Sequence, residues 1–528
     1  MNRNVAPDQT LTTHGTLAAG SYLLGEAGTA AEPFGAVIIA TGHASNFGII
    51  NLYGSAILDS SFGGSGATLL AEGVLTNAGI VTVGGANDFI DASALLSITN
   101  DVTNTGEILL QNGALGFHYY AGGPGGQLTD SGTLTNTGTV LLEGGIGYNA
   151  NGSTASISGL LNNAGTVTVQ QAAELSIATS GVLTNSADLT IDGGTLEFYG
   201  GPPYGSSTGT LDVNGTLANS GLLTLGGGVV DYGNGYSISG LGADAAVAGV
   251  LINTGAIDLQ GGAGYRYGYF PPPFSTGPTL SLTGALTNQG SIELHAGYAP
   301  PGGYYGAGAT LIDSGTLTNT GTIVVDGATT ASADALLTVT ATGTLTNSGA
   351  ITGTGSIDNE GLLRTTGGDI AIAALRNTGT IALAANTQLT IGSAITQSGQ
   401  LDLAAHATLT LAGSVSATQQ IAFGGPDATL ILASPNSFAG VLTNFAPTDT
   451  IDFAGDFAGA ALTAATAAGS LLDLTFANGA TFDLRLDAPL AGATLTLSSD
   501  HHGGTDLRLG AAAPLPLIAP LQTDHPLA

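Results

Sequence analysis

The chain has 528 residues, of which 85 are glycine and only 8% are charged, yet its mean hydropathy is +0.33. Disordered chains are polar and highly charged, so this composition excludes disorder and favours thin, stacked β layers of Ala, Val, Ile and Leu. Six arginines and no lysine face 37 acids, giving −31, a charge that repels phosphate backbones and anionic lipid; the absence of cysteine excludes disulfides and thiolate metal sites.

In chain order, residues 1–40 precede the main repeats and are expected to cap them. No apolar signal-type stretch follows Met1, and no run is long and apolar enough to cross a membrane as a helix. Export is therefore expected by a route without an ordinary N-terminal signal peptide.

Residues 41–415 carry an internal repeat of the form L-x-N-x-G-x-φ-x-φ, where φ is aliphatic. It reads VLTNAGIVTV at Asn77, TLTNTGTVLL at Asn136, VLINTGAIDL at Asn253, ALTNQGSIEL at Asn288, TLTNTGTIVV at Asn319 and TLTNSGAIT at Asn347. The asparagine recurs as Asn46, Asn104, Asn163, Asn185, Asn219, Asn359 and Asn377, with Gln397 as a degenerate copy; Ala187 replaces the glycine after Asn185. Spacing runs mostly from 22 to 35 residues and shortens to 12, 18 and 20 near the end, as a fixed rung with variable loops would. Alternation after each motif is strand-like. The N-x-G step offers two residues that tolerate positive φ and so predicts a sharp bend. Together these describe an all-β fold, an elongated parallel β-helix of about 13 rungs; at about 4.8 Å per rung the rod is roughly 60 Å long. A residue repeated in every rung does the same job in each, so Asn77, Asn104, Asn136, Asn163, Asn185, Asn219, Asn253, Asn288, Asn319 and Asn347 are expected to form a stacked amide ladder rather than ligand contacts.

The longer rungs carry Gly/Pro/Tyr-rich inserts up to about residue 305. Their tyrosines are Tyr119, Tyr120, Tyr148, Tyr199, Tyr204, Tyr232, Tyr236, Tyr265, Tyr267, Tyr269, Tyr304 and Tyr305, and most fall 10 to 20 residues after a motif asparagine. A constant offset means one corner of the coil, so the inserts are expected to stack along one side. Tyrosine gives rigid, amphipathic contact area, and inserts on one solenoid face commonly form a binding face. The alternative is that they only pack the loops on the rod.

Beyond residue 415 the asparagine motif fades, but alternation continues through 416–510, the expected β-rich C-terminal capping region; 511–528 reads as a tail. With both ends covered, a monomer is expected. Asp449, Asp452 and Asp456 form an acidic cluster. Gly84-Gly85-Ala86-Asn87-Asp88-Phe89-Ile90-Asp91 approximates one calcium-binding β-roll nonapeptide, and Asp500, His501, His502 and Asp506 form a further group. The acidic cluster and the nonapeptide suggest calcium, and the Asp/His group could bind a transition metal, with an exposed turn as its alternative; otherwise no cofactor is expected.

The LTNTGTI-type rungs resemble the passenger repeats of bacterial autotransporter and haemagglutinin-like adhesins. The segment from Phe438-Ala439-Gly440 to Asp449-Thr450-Ile451-Asp452-Phe453, with Gly503-Gly504-Thr505-Asp506-Leu507, is similar to the C-terminal end of large secreted β-repeat proteins of alphaproteobacteria. The resemblance implies a secreted or surface adhesin or matrix fibre that meets a host or matrix surface or a polysaccharide, with neither nucleic acid nor membrane insertion.

Parallel β-helices also include polysaccharide lyases and hydrolases, the alternative reading. A lyase needs cations to neutralise a uronate carboxylate, and Arg266, Arg364 and Arg376 are a thin supply. A hydrolase needs two carboxylates on one face; Asp313 and Asp326 are the pair to consider. No catalytic constellation emerges, and the expectation is a non-enzyme.

Overall fold

The computed structural model describes residues 3–6, 9–17, 22–25, 35–54, 66–85, 93–112, 124–144, 152–196, 208–230, 240–263, 275–298, 306–328, 332–453, 462–477, 479, 481–490, 494–499 and 504–510. Each turn of the coil is built from three strands, mostly of four residues. One turn runs Gln127–Asp130, Thr133–Asn136 and Thr139–Leu142, and the next begins at Thr154–Ile157. Successive turns pair in parallel and in register: Asp130 lies against Ile157, Asn136 against Asn163 and Leu142 against Val169. The chain is thus an elongated parallel β-helix whose strands form three columns, here called first, second and third in the order the chain visits them.

Alternation decides which side chains enter the rod. In Thr133–Asn136 the second and fourth residues face inward, and this holds along the columns. Leu134, Leu161, Leu183, Leu217 and Leu251 therefore stack as one fully buried row. Burying each such side chain contributes about 1.5–3 kcal/mol.

The motif asparagines close the second column. From Asn46 to Asn347 each Nδ2 donates to Oδ1 of the asparagine one turn on, at 2.7–2.8 Å. Up to Asn319 it also donates to a backbone carbonyl of that next turn, as Asn104 does to Thr139 at 3.0 Å. The buried amides are thereby satisfied.

The reason for the motif glycine differs from the sequence expectation. None of the motif asparagines or glycines from Asn46 to Gly349 adopts positive φ. The glycine is needed because turns stack closely: a Cβ on Gly138 would stand 2.0 Å from the carbonyl oxygen of Gly106, and one on Gly165 2.2 Å from that of Gly138.

The ladder also changes place. Thr365, not Asn359, lies below Asn347 in the second column, whereas Asn359 continues the first column below Val339 and pairs with Asn377. Gln397 does not continue this second ladder: it is exposed, with φ 78°. Buried Gln419 reaches in instead, accepting from Asn377 Nδ2 at 3.1 Å and donating to the carbonyls of Asn377 and Thr396 at 2.7 and 2.9 Å.

At the N-terminal end Thr10–Leu17 pairs with Val37–Asn46, and Arg3–Val5 with Tyr22–Gly25. At the other end pairing turns antiparallel. Thr450–Phe453 pairs with Thr505–Gly510, itself against Thr494–Ser499, and Leu471–Phe476 lies between Leu462–Ala468 and Thr481–Leu486. Phe423 with Phe445 and Phe453 with Phe476 supply this region's aromatic core, with centroids 5.2 and 5.9 Å apart. No helix among the described residues is long and apolar enough to cross a membrane.

Candidate functional site

The inserts leave from one corner, between the third column and the first. All but one of the described necks, from that of 55–65 to that of 329–331, are closed by one backbone bond. The residue just before a first-column strand donates to the carbonyl just after the preceding third-column strand. Ala67 donates to Tyr53, Ala94 to Gly84, Ser153 to Glu143 and Ala309 to His295, at 2.9–3.0 Å. Where no insert is present the same bond closes a two-residue turn, Ala173 to Gln170 at 2.9 Å, with Ala172 at φ 65°. Pro278 occupies the donor position opposite Gln260 and has no N–H to give, so the neck of the 264–274 segment lacks this bond.

Neighbouring necks stack on one another beyond the corner. Thr195 and Leu196 pair in parallel with Val229 and Val230, Ala263 with Tyr298, and Ser275 with Gly306. Tyr298 and Tyr53, each beside a neck, are exposed by 59% and 48%. Tyr119, Tyr120, Tyr148, Tyr199, Tyr204, Tyr232, Tyr236, Tyr265, Tyr267, Tyr269, Tyr304 and Tyr305 all lie outside the described residues.

At the foot of two of these necks sits a charged group that sequence reading missed. His295 Nδ1 lies 3.0 Å from Asp326 Oδ2, and its Nε2 lies 3.0 Å from Asp258 Oδ1 and 3.9 Å from Glu293 Oε2. The ring bridges carboxylates from the turns before and after its own. A motif offset could have found it: Asp258 and Glu293 each stand five residues after a ladder asparagine, and His295 and Asp326 seven.

The proposed carboxylate pair is not on one face. Asp326 is at the outer corner, whereas Asp313 ends Thr310–Asp313 with its side chain fully buried in the rod. Its Oδ1 accepts from the Gly315 N–H at 3.1 Å and its Oδ2 is buried without a partner. Asp130 repeats this arrangement at Gly132. Burial pushes both carboxyls up to about 6, against the lowering effect of that one bond. Asp192 and Asp244 are also raised by burial.

Asp449 is buried, and its two oxygens accept from the N–H groups of Ala428 and Ala446 at 3.2 and 2.9 Å. Burial raises this carboxyl, the two hydrogen bonds lower it and the nearby Asp427 charge raises it. Asp452 lies in Thr450–Phe453 and is partly buried, and Asp456 lies outside the described residues. Of the nonapeptide only Gly84 and Gly85 are described; 86–91 are not, nor are Asp500, His501 and His502, while Asp506 pairs with Arg508 at 3.4 Å. Among the described residues no group of three or more His, Asp or Glu side chains is arranged to hold a metal ion.

The haemagglutinin-repeat family model matches residues 40–138, 141–198, 178–296 and 305–349, more than half of the chain. The chain belongs to the haemagglutinin-repeat family. The haemagglutinin repeats thus span the insert-bearing part of the rod, and their match ends two residues after Asn347, where the second-column ladder also ends. No curated protein matches the sequence.

Proposed function

We propose that this haemagglutinin-repeat protein is a non-catalytic, adhesin-like rod, secreted or displayed on a bacterial surface, that binds through the tyrosine-bearing inserts of one corner. The observation that carries this reading is the common exit of the inserts: the described necks, most of them closed by a backbone bond and some paired in parallel, open at one corner of an otherwise uniform scaffold. Family membership supports an adhesin-like surface protein. The net charge of −31 disfavours polyanionic ligands and favours a neutral glycan or a protein surface, both of which suit tyrosine contacts. Resemblance to autotransporter passengers supports presentation outside the cell.

A panel of neutral and acidic polysaccharides, with a binding readout and a reducing-end and unsaturated-product assay, tests the proposal. Binding without product, lost in the Tyr265→Ala/Tyr267→Ala/Tyr269→Ala variant, is the expected result. Product formation would replace it with the carbohydrate-active enzyme reading. Unaltered binding by the variant would move the site off the inserts.

A further inference from the structure

We propose that the turn between Asn347 and Asn377 is a built-in weak link, at which the rod opens first and which divides it into two cooperative units. The upper unit is the insert-bearing repeat array that ends at Asn347. The lower is the insert-free coil from Asn359 onward with its antiparallel end.

Four observations converge on this turn. The upper amide ladder stops: below Asn347 lies Thr365, whose Oγ1 donates to Gly367 within its own turn at 2.9 Å, and Asn347 Nδ2 folds back onto Gly349 at 3.0 Å. The lower ladder starts unmatched: Asn359 Nδ2 donates to Asn377 Oδ1 at 2.7 Å, but its Oδ1 is buried under Val339 and accepts no bond. Third-column pairing thins here to Ile351 and Thr352 against Ile370 and Ala371, where full turns pair four residues. Three glycines, Gly353, Gly367 and Gly368, adopt positive φ within this short stretch, and nothing lies within 4 Å of a Cβ built on Gly367.

Solenoid stability is a sum of nearest-neighbour terms. A turn that breaks one polar ladder, leaves the next with an unpaired acceptor and loses sheet pairing is therefore where the sum is smallest. Burying Asn359 Oδ1 unpaired opposes docking of the two units, while the continuous hydrophobic rows, Leu345 on Leu363 on Ile381, hold them together.

Hydrogen exchange on the full chain reads this out segment by segment. Amides of 348–371 are expected to exchange about tenfold or more faster than those of 316–347 and 374–403. Thr365→Asn, which offers Asn347 a ladder partner, is expected to slow exchange of 348–371 several-fold; Thr365→Val, which removes the Gly367 bond, is expected to hasten it. Should Thr365→Asn fail to fold, Val339→Asn, which offers Asn359 Oδ1 a donor from above, makes the same test. Uniform protection across 316–403 in the unaltered chain overturns the proposal, and so does a folded ladder-extending variant with unchanged exchange.

Discussion

Asn104 Nδ2 donates at once to Asn136 Oδ1, 2.7 Å away on the next turn, and to the Thr139 carbonyl at 3.0 Å. One side chain thus ties the backbone of one turn to both the side chain and the backbone of the next. Asn136→Ala removes the acceptor for Asn104 and the donor to Asn163. The expected loss is about 2–4 kcal/mol, because neighbouring buried groups are left unpaired. Asn136→Asp keeps the acceptor but sets a carboxylate oxygen against Asn163 Oδ1, and should cost at least as much at neutral pH. Denaturant unfolding followed by circular dichroism measures both.

Asp130 and Asp313 give the rod an acid-side stability term. Their folded-state pKa of about 6 lies above the ordinary value of 3.8, so the native state holds more protons than the unfolded chain between these limits. The stabilisation is present in full below about pH 4 and is lost as pH rises through 6, by at most about 3 kcal/mol per group. Asp130→Asn and Asp313→Asn should each flatten the fall. Unfolding free energies measured from pH 4 to 8 check the slope.

Glycine in the second-to-third corner is a spacing requirement. Gly138→Ala brings a Cβ to 2.0 Å from the Gly106 oxygen, and the resulting backbone shift should cost about 1–3 kcal/mol. Ala187 already stands in that row, between Gly165 and Gly221 of the neighbouring turns. By the same spacing argument Ala187→Gly is expected to stabilise the rod by about 1 kcal/mol, a rise visible in thermal melts.

His295→Ala leaves Asp258, Glu293 and Asp326 facing one another. All four side chains are partly exposed, so the loss should stay below about 1 kcal/mol and shrink as salt rises. Melting temperatures at 10 mM and 500 mM salt, both within the range where screening changes about sevenfold in distance terms, compare the variant with the unaltered chain. A loss independent of salt would mean packing rather than charge.

The repeating scaffold was legible because its rules are local. Alternation in Thr133–Asn136 and Thr139–Leu142 fixes which residues face inward, and N-x-G marks a corner. Which corner it marks is not local. Asn347-Ser348-Gly349 turns the chain from second to third column, while Asn359-Glu360-Gly361 turns it from first to second, with the same residue types. The 12-residue spacing between Asn347 and Asn359 was the clue, since it spans two strands rather than a full turn. Gln419 left no comparable trace: it reaches the ladder from 42 positions beyond Asn377. At the candidate site the tyrosine offsets gave the expectation of one corner; the described necks open at one corner, while the tyrosines themselves lie outside the described residues. The His295 bridge was not expected, because its partners come from three turns and show themselves only when those turns are aligned.

Replacing 261–277 with the two-residue Gln-Ala turn found between Gln170 and Ala173, together with Pro278→Ala to supply the closing N–H to Gln260, tests most directly whether rod and inserts have separate roles. The same polysaccharide or surface ligand is then titrated against the unaltered and shortened chains, with a thermal melt of each. The expected result is an unchanged melt within a few degrees and binding weakened about tenfold or more, as loss of one element of a multivalent face produces. Full binding by the shortened chain, or collapse of the rod when the insert is removed, would contradict a passive scaffold that carries its function at one corner.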